Sequence, residues 1–200
     1  MSDHCYEVAV IGAGIIGIST AYFLSKNHGI SKIVLIDRDQ PMAYTSAQSG
    51  ENYRNWWPHP TMVNFTNRGI DLLEEIALAG NNSINMNRRG YALVTRSSDI
   101  QDLLVELHKG LGESAESLLR FHDGHNDAGY KPAHRPDWQD APDGVDILSG
   151  QSLIQEHFPS YADDARNVIH IRRGGDISGQ QLGMFMLEHL KEKGAQRVLG

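Results

Sequence analysis

Two apolar runs and the turn between them constrain this chain more than any other feature. Val8-Ala9-Val10-Ile11 leads into Gly12-Ala13-Gly14-Ile15-Ile16-Gly17, and Ile33-Val34-Leu35-Ile36 ends on Asp37. The first run lacks strict alternation, as expected of a parallel strand covered on both faces. A G-x-G-x-x-G turn after such a strand serves a physical purpose at each glycine. Gly12 permits a tight turn, Gly14 lets the backbone approach a pyrophosphate, and Gly17 lets the following helix sit close to the strand. That helix points free N–H groups and its positive dipole end at phosphates. Asn27-His28-Gly29 ends it, with Gly29 in the cap position. Asp37 lies 20 residues beyond Gly17, where a carboxylate can accept from a ribose diol. Strand, turn, helix, second strand and acid together predict an α/β fold with a site for an adenine dinucleotide.

Composition narrows what surrounds that site. A chain of 200 residues has room for one large domain, or one domain and part of another. The excess of 25 Asp and Glu over 18 Lys and Arg, a net charge of −7, argues against nucleic acid or an anionic membrane as partner. Cys5 is the only cysteine, so no intrachain disulfide forms and a reducing compartment is expected. The longest apolar stretch, residues 8–18, is too short and glycine-rich to span a membrane. Asp3 and Glu7 do not suit a signal-peptide start. The expectation is a soluble cytoplasmic protein.

Beyond Asp37 the pattern changes several times. Residues 40–60 read as a long connection rich in Ser, Thr, Asn and Trp, of a length that usually carries function. Apolar spacing predicts a helix over 61–79, a strand over 89–95 and a helix capped by Asp99. Residues 122–146, rich in His, Asp, Gly and Pro, read as a polar surface insertion. A short helix over 149–158, a strand over 168–171 and a helix over 178–193 follow. A further strand opens at Gln196, just before Gly200, so the sequence reads as the N-terminal part of a longer protein.

Several side chains stand out. Thr45, Ser46, Ser49 and Gly50 follow the ribose acid closely and suit a second phosphate-contacting segment of hydroxyls and backbone N–H groups. Arg38 could meet a 2′-phosphate, but the adjacent Asp39 argues against NADP. Tyr53, Arg54, Trp56 and Trp57 form an aromatic and basic cluster suited to a flat ring or an amine. A cation such as Arg54 near a flavin ring would stabilise its anionic reduced form. His122, His125 and His134 lack metal-ligand spacing, so no metal is expected.

The opening run, the Ile33–Asp37 strand and Thr45-Ser46-Ala47-Gln48-Ser49-Gly50 resemble the FAD-dependent amine and amino-acid oxidoreductases, among them D-amino-acid oxidase, glycine oxidase and sarcosine dehydrogenase. The resemblance implies a Rossmann-like FAD-binding domain with a parallel sheet, plus part of an α+β substrate domain. FAD would be held by Gly12, Gly14, Ile15, Ile16, Gly17, Asp37, Arg38, Thr45, Ser46, Ser49 and Gly50. Arg54 lies close to, though not on, the position where sarcosine oxidases keep an Arg beside the flavin ring; it is the sole catalytic candidate. Arg88-Arg89-Gly90-Tyr91-Ala92-Leu93 resembles the family's entry into the substrate domain, and Gly175-Asp176-Ile177-Ser178-Gly179 its return. The implied division is a cofactor domain of residues 1–84 and 165–200 around a substrate-domain excursion of residues 85–164. The implied reaction is oxidation of a C–N bond in a small amine or amino acid by hydride transfer to flavin N5, the present chain being inactive alone. A nicotinamide-dependent Rossmann dehydrogenase and a truncated non-catalytic binding protein are the alternatives. Residues 45–50 argue against the former, since a nicotinamide domain usually runs straight into another βα unit.

Overall fold

The computed structural model of the chain describes residues 5–124, 129–134 and 138–200. The elements in chain order are β1 (Val8–Ile11), α1 (Ile15–His28), β2 (Ile33–Asp37), β3 (Asn52–Arg54), α2 (Pro60–Ala79), β4 (Tyr91–Thr95), α3 (Gln101–Leu111), α4 (Ala115–Leu118), β5 (Leu119–His122), β6 (Val145–Ser149), α5 (Gln151–His157), β7 (Asn167–Ile171), β8 (Gly174–Asp176), α6 (Gly179–Glu192) and β9 (Gln196–Leu199). They gather into two compact units. One comprises Met1–Glu51, Ile76–Asn85 and Ile177–Gly200, the other Asn52–Glu75 and Met86–Asp176.

The first unit is built on a parallel sheet of order β1-β2-β9. Val8 pairs with Ile33 and Ile11 with Ile36, while Val34 pairs with Gln196 and Asp37 with Leu199. Parallel neighbours require a crossover, and α1 supplies it between β1 and β2. Its buried residues, Ile18, Ala21, Tyr22 and Ser25, fall at helical spacing on one face. That face packs against α6, which buries Leu182, Gly183, Met186 and Leu190. Ile33, Val34 and Leu35 are buried in the central strand, each contributing roughly 1.5–3 kcal/mol of burial free energy. Gly29 closes α1 in the left-handed conformation (φ 68°), its N–H donating to the Ser25 carbonyl at 3.0 Å. Ser178 caps α6, accepting from the Gln181 N–H at 3.4 Å.

The second unit carries a four-stranded sheet of order β4-β7-β6-β5 and a β3-β8 ribbon. The β4-β7 and β7-β6 pairs are antiparallel and β6-β5 is parallel. Strand alternation divides the apolar residues between two cores. Val145, Ile147, Ile169 and Ile171 pack with Trp56 and Leu107, whereas Leu148 and Val168 pack with Tyr130, Leu153 and Ile154.

Several expectations are corrected here. Residues 122–146 are not wholly a surface insertion. His122 ends β5, and Val145 and Asp146 begin β6, all three buried. Isolated polar residues concealed these strands from a reading of hydrophobic runs. The connection over residues 40–60 is not structureless either, since it contains a 3₁₀ turn at Thr45–Gln48 and strand β3. The N-cap of α3 is Ile100, without a side-chain cap, and Asp99 one residue earlier accepts from the Gln101 N–H at 3.0 Å. The division of the chain also falls elsewhere than at residues 84 and 165. Residues 52–75 and 165–176 belong to the second unit, where β7 lies between β4 and β6 and β8 pairs with β3.

Candidate functional site

In the first unit the glycine turn is held from three directions. Gly12 has φ 104°, a conformation open to glycine and rarely to other residues. Its N–H donates to the Ile36 carbonyl at 2.8 Å, linking it to β2. The Ala13 N–H donates to Asp37 Oδ2 at 2.6 Å, and the Ala13 carbonyl accepts from the Met42 N–H at 2.9 Å. Asp37 Oδ1 accepts from the Asp39 N–H at 3.1 Å. Hydrogen bonding by the Ala13 N–H, and next by the Asp39 N–H, holds the Asp37 carboxyl below the usual carboxylate range. Asp37 is therefore an anion at neutral pH. A carboxylate has about four acceptor positions, so two N–H groups leave capacity for a diol.

Helix α1 begins as an anion site requires. Gly14 is its N-cap with no side chain to cap it, and the first turn contains no acid. The Ile15 N–H instead donates to Ser46 Oγ at 3.1 Å, so Ser46 from the 3₁₀ turn reaches the helix start. Ile16 is 79% exposed beside it. A Cβ on Gly17 would lie 1.9 Å from the Gly12 carbonyl oxygen, whereas one on Gly14 would meet only Ser46 Oγ, at an ordinary 3.5 Å. Gly17 thus serves close packing, and Gly14 is left with open space over it.

These observations fit the adenosine-pyrophosphate part of FAD. The positive helix end, the uncluttered Gly14 and the ionised Asp37 are the donor and acceptor set that a phosphate and a ribose need. Arg38 stands exposed beside Asp37. Its Nε donates to Asp39 Oδ2 at 3.1 Å and its guanidinium carbon lies 5.5 Å from the centre of the Tyr44 ring. That pairing with an acid leaves little for a 2′-phosphate. Ser49 accepts from the Glu51 N–H at 3.1 Å, and Thr45 and Gly50 stand exposed on the same segment. The structure brings Ser46 to the turn but shows no such bond from Thr45, Ser49 or Gly50.

Two residues here escaped the sequence reading. Met42, buried and at φ 62°, holds Ala13 through its backbone. Glu51, at φ 58°, accepts from the Gly179 N–H through Oε1 at 2.6 Å and from the Ile177 N–H through its carbonyl at 3.1 Å. A carboxylate at the start of α6 is favoured by the helix dipole. Neither role leaves a local sequence signature, because each depends on a partner distant in sequence or on an unusual backbone angle.

The second unit contains Arg54 and the histidines singled out in the sequence. Arg54 lies on β3, its guanidinium carbon 4.5 Å from the centre of the Trp57 ring and 4.5 Å from that of Tyr91. His122 is buried and its Nε2 lies 2.9 Å from Asp146 Oδ1. His134 is exposed, and His125 lies outside the described residues. Among the described residues, no group of three or more His, Cys, Asp or Glu is placed to hold a metal ion. Asp146 also receives Arg120 Nε at 2.6 Å and the fully buried Arg172 at 3.1 Å. Burial opposes its ionisation, but hydrogen bonds from Arg120 and His122, with the charge of both arginines, win and hold it below the usual range. No described helix is long and apolar enough to cross a membrane.

Comparison with known proteins agrees with this geometry. Residues 7–200 match the family model described as DAO, FAD dependent oxidoreductase. Sarcosine oxidase subunit beta from Arthrobacter sp is 24% identical over 116 residues, 56% of this chain and 29% of that protein. Among solved structures, glycine oxidase from Bacillus cereus aligns over 98% of this chain and 47% of its own at TM-score 0.70 and 14% identity. L-Proline dehydrogenase from P. horikoshii aligns over 97% and 44% at TM-score 0.72 and 13% identity. L-Amino acid deaminase from Proteus vulgaris aligns over 97% and 39% at TM-score 0.69 and 19% identity. The chain therefore spans less than half the length of each of these relatives.

Proposed function

The chain belongs to the family of FAD-dependent oxidoreductases, and from that premise we propose that the protein it forms oxidises a C–N bond of a small amine or amino acid. Bound FAD would supply the electron acceptor, taking hydride from the carbon beside the substrate nitrogen. The residues of this chain supply the grip on the cofactor. Gly12, Gly14, Ile15, Ile16 and Gly17 would surround the pyrophosphate, with the N-terminus of α1 directed at its charge. Asp37 would accept from the ribose while continuing to hold the Ala13 N–H. Ser46 would contribute a hydroxyl at the helix start, and Thr45, Ser49 and Gly50 complete the proposed phosphate side. A reducing, cytoplasmic setting is part of the same proposal and suits the single exposed Cys5.

One observation carries this reading: Ala13 is fixed by Asp37 and Met42 while Gly14, one residue on, is left uncovered at a helix start without acids. A turn that served packing alone would have no need of open backbone there. The test is the absorbance spectrum of the purified complete protein. Flavin bands are expected, with the adenine absorbance that distinguishes FAD from FMN. Asp37→Ala should lower the flavin content. A nicotinamide cofactor in place of flavin, or no dinucleotide at all, would contradict the proposal.

A further inference from the structure

The second unit holds a buried charge cluster that the proposed grip on the cofactor does not use. Asp146, on β6, pairs with two guanidiniums: Arg120 Nε lies 2.6 Å from Oδ1 and Arg172 Nη1 lies 3.1 Å from Oδ2. Arg172 is 1% exposed, so one carboxylate serves two cations where water is largely excluded. Burial pulls the Arg172 pKa below its ordinary value in spite of Asp146, the sign of a charge that is not fully compensated. Nη1 of Arg172 also meets His170 Nδ1 at 3.2 Å. Its Nε, by contrast, is buried without a hydrogen-bond partner among the described residues. An orphaned donor on a buried cation is costly unless an acceptor reaches it.

Arg172 is also a wall of a cavity of about 330 Å³, whose lining includes Lys131, His134 and Asp140. Lys131 is shared with a second cavity of about 470 Å³, lined also by Arg120, His122 and Asp146. Both cavities thus draw on the same charge cluster. Lys131 and Asp140 are exposed and hydrated, whereas Arg172 is not. We propose that the smaller cavity binds a phosphate or a phosphate monoester, its oxygens shared by Arg172 and Lys131. A phosphate carries more than one negative charge near neutral pH and several acceptor oxygens, enough to serve a guanidinium and an ammonium together. A carboxylate brings one charge, and chloride has no directed acceptors. Every residue of this site belongs to the second unit and the glycine turn to the first, so the inference does not rest on the cofactor assignment.

The test uses the chain itself and inorganic phosphate, titrated by calorimetry at fixed ionic strength. Phenyl phosphate serves as the monoester, and acetate and chloride as singly charged controls. Phosphate also suits the glycine turn, so every titration is made in the Gly14→Val background, which closes the proposed pyrophosphate path. Phosphate is expected to bind saturably and at least roughly tenfold more tightly than acetate, the range of a hydrogen bond to a charged group. It should also raise the thermal midpoint above that in chloride. Equal or tighter binding of phenyl phosphate supports a phosphorylated small molecule as occupant, and binding of phosphate alone supports the free ion. Arg172→Gln should lose at least about tenfold. Lys131→Gln, at an exposed residue, should keep its urea midpoint and lose about three- to fivefold, which decides the matter where Arg172→Gln does not fold. Arg96→Gln, on the lining of a different cavity, should lose nothing. No phosphate binding at millimolar concentration, equal binding of acetate, or unchanged binding in Lys131→Gln would overturn the proposal. So would an equal loss in Arg96→Gln, which marks general attraction to positive charge.

Discussion

Gly14 and Gly17 stand three residues apart in one motif, yet the structure gives them different work. A Cβ at Gly17 would meet the Gly12 carbonyl oxygen at 1.9 Å, a backbone atom that no side-chain rotation can clear. Gly17→Ala is therefore expected to destabilise the fold by about 2 kcal/mol or more, read as a lower urea midpoint. At Gly14 the nearest atom is Ser46 Oγ at 3.5 Å, and φ is −76°, an angle any residue adopts. Gly14→Val should leave the chain folded and abolish cofactor binding in the complete protein, because its side chain would stand in the proposed pyrophosphate path. Flavin content after gel filtration checks it, and a variant with unchanged flavin would contradict the assignment. The spacing of the glycines indicated both roles. Met42 and Glu51 carried no such signal, because φ 62° and φ 58° at a Met and a Glu are set by their surroundings and not by residue type.

Helix α1 shows how an element can depend on a distant segment. Its own N-cap lacks a side chain, and Ser46 supplies the acceptor for the Ile15 N–H. Ser46→Ala is expected to cost about 1 kcal/mol, as for loss of a cap, measured by thermal unfolding. Strand β7 carries a different dependence. His170, buried on it, has Nδ1 2.9 Å from the Tyr130 hydroxyl and 3.2 Å from Arg172 Nη1, and Nε2 2.8 Å from the Arg89 carbonyl. Arg172 can only donate, so Nδ1 is an acceptor and Nε2 carries the proton. Burial, followed by the charge of Arg172, pushes the His170 pKa down to about 4. The folded pKa lies below the unfolded one, so stability is complete above about pH 6.5 and falls as pH drops towards 4, by about 3 kcal/mol for this group. Asp146, also held below its usual value, adds to the loss at still lower pH. Urea midpoints between pH 7 and 4 should show this decline, and it should be shallower in a folded His170→Gln variant. A flat profile would contradict the assignment. The polar residues of β5 and β6 hid these strands from periodicity, since Asp146 is buried with His122, Arg120 and Arg172 as partners and His122 is buried against Asp146.

At the scale of the whole molecule, the chain covers 47% of Bacillus cereus glycine oxidase and 44% of the proline dehydrogenase. A stretch that spans less than half of those relatives is expected to hold FAD weakly. Flavin retained through dialysis at one per chain would contradict this. The cofactor class was legible in the sequence because its signal is local: an apolar strand, three glycines at fixed spacing and an acid at the end of the next strand are all set within residues 8–37. The strand itself is an edge of the sheet and only partly covered, with Ile11 86% exposed, and not covered on both faces as its apolar run suggests. Helix and strand periods likewise announced α1, α2 and α6. The rest depends on contacts between segments far apart in the chain. Tertiary structure alone placed β7 and β8 in the second unit, through pairing with β4, β6 and β3. It brought Ser46 to the start of α1 and Arg54 to the rings of Trp57 and Tyr91. A sequence states which groups are available and their local spacing. Which of them meet is decided by burial and hydrogen-bond satisfaction over the folded chain.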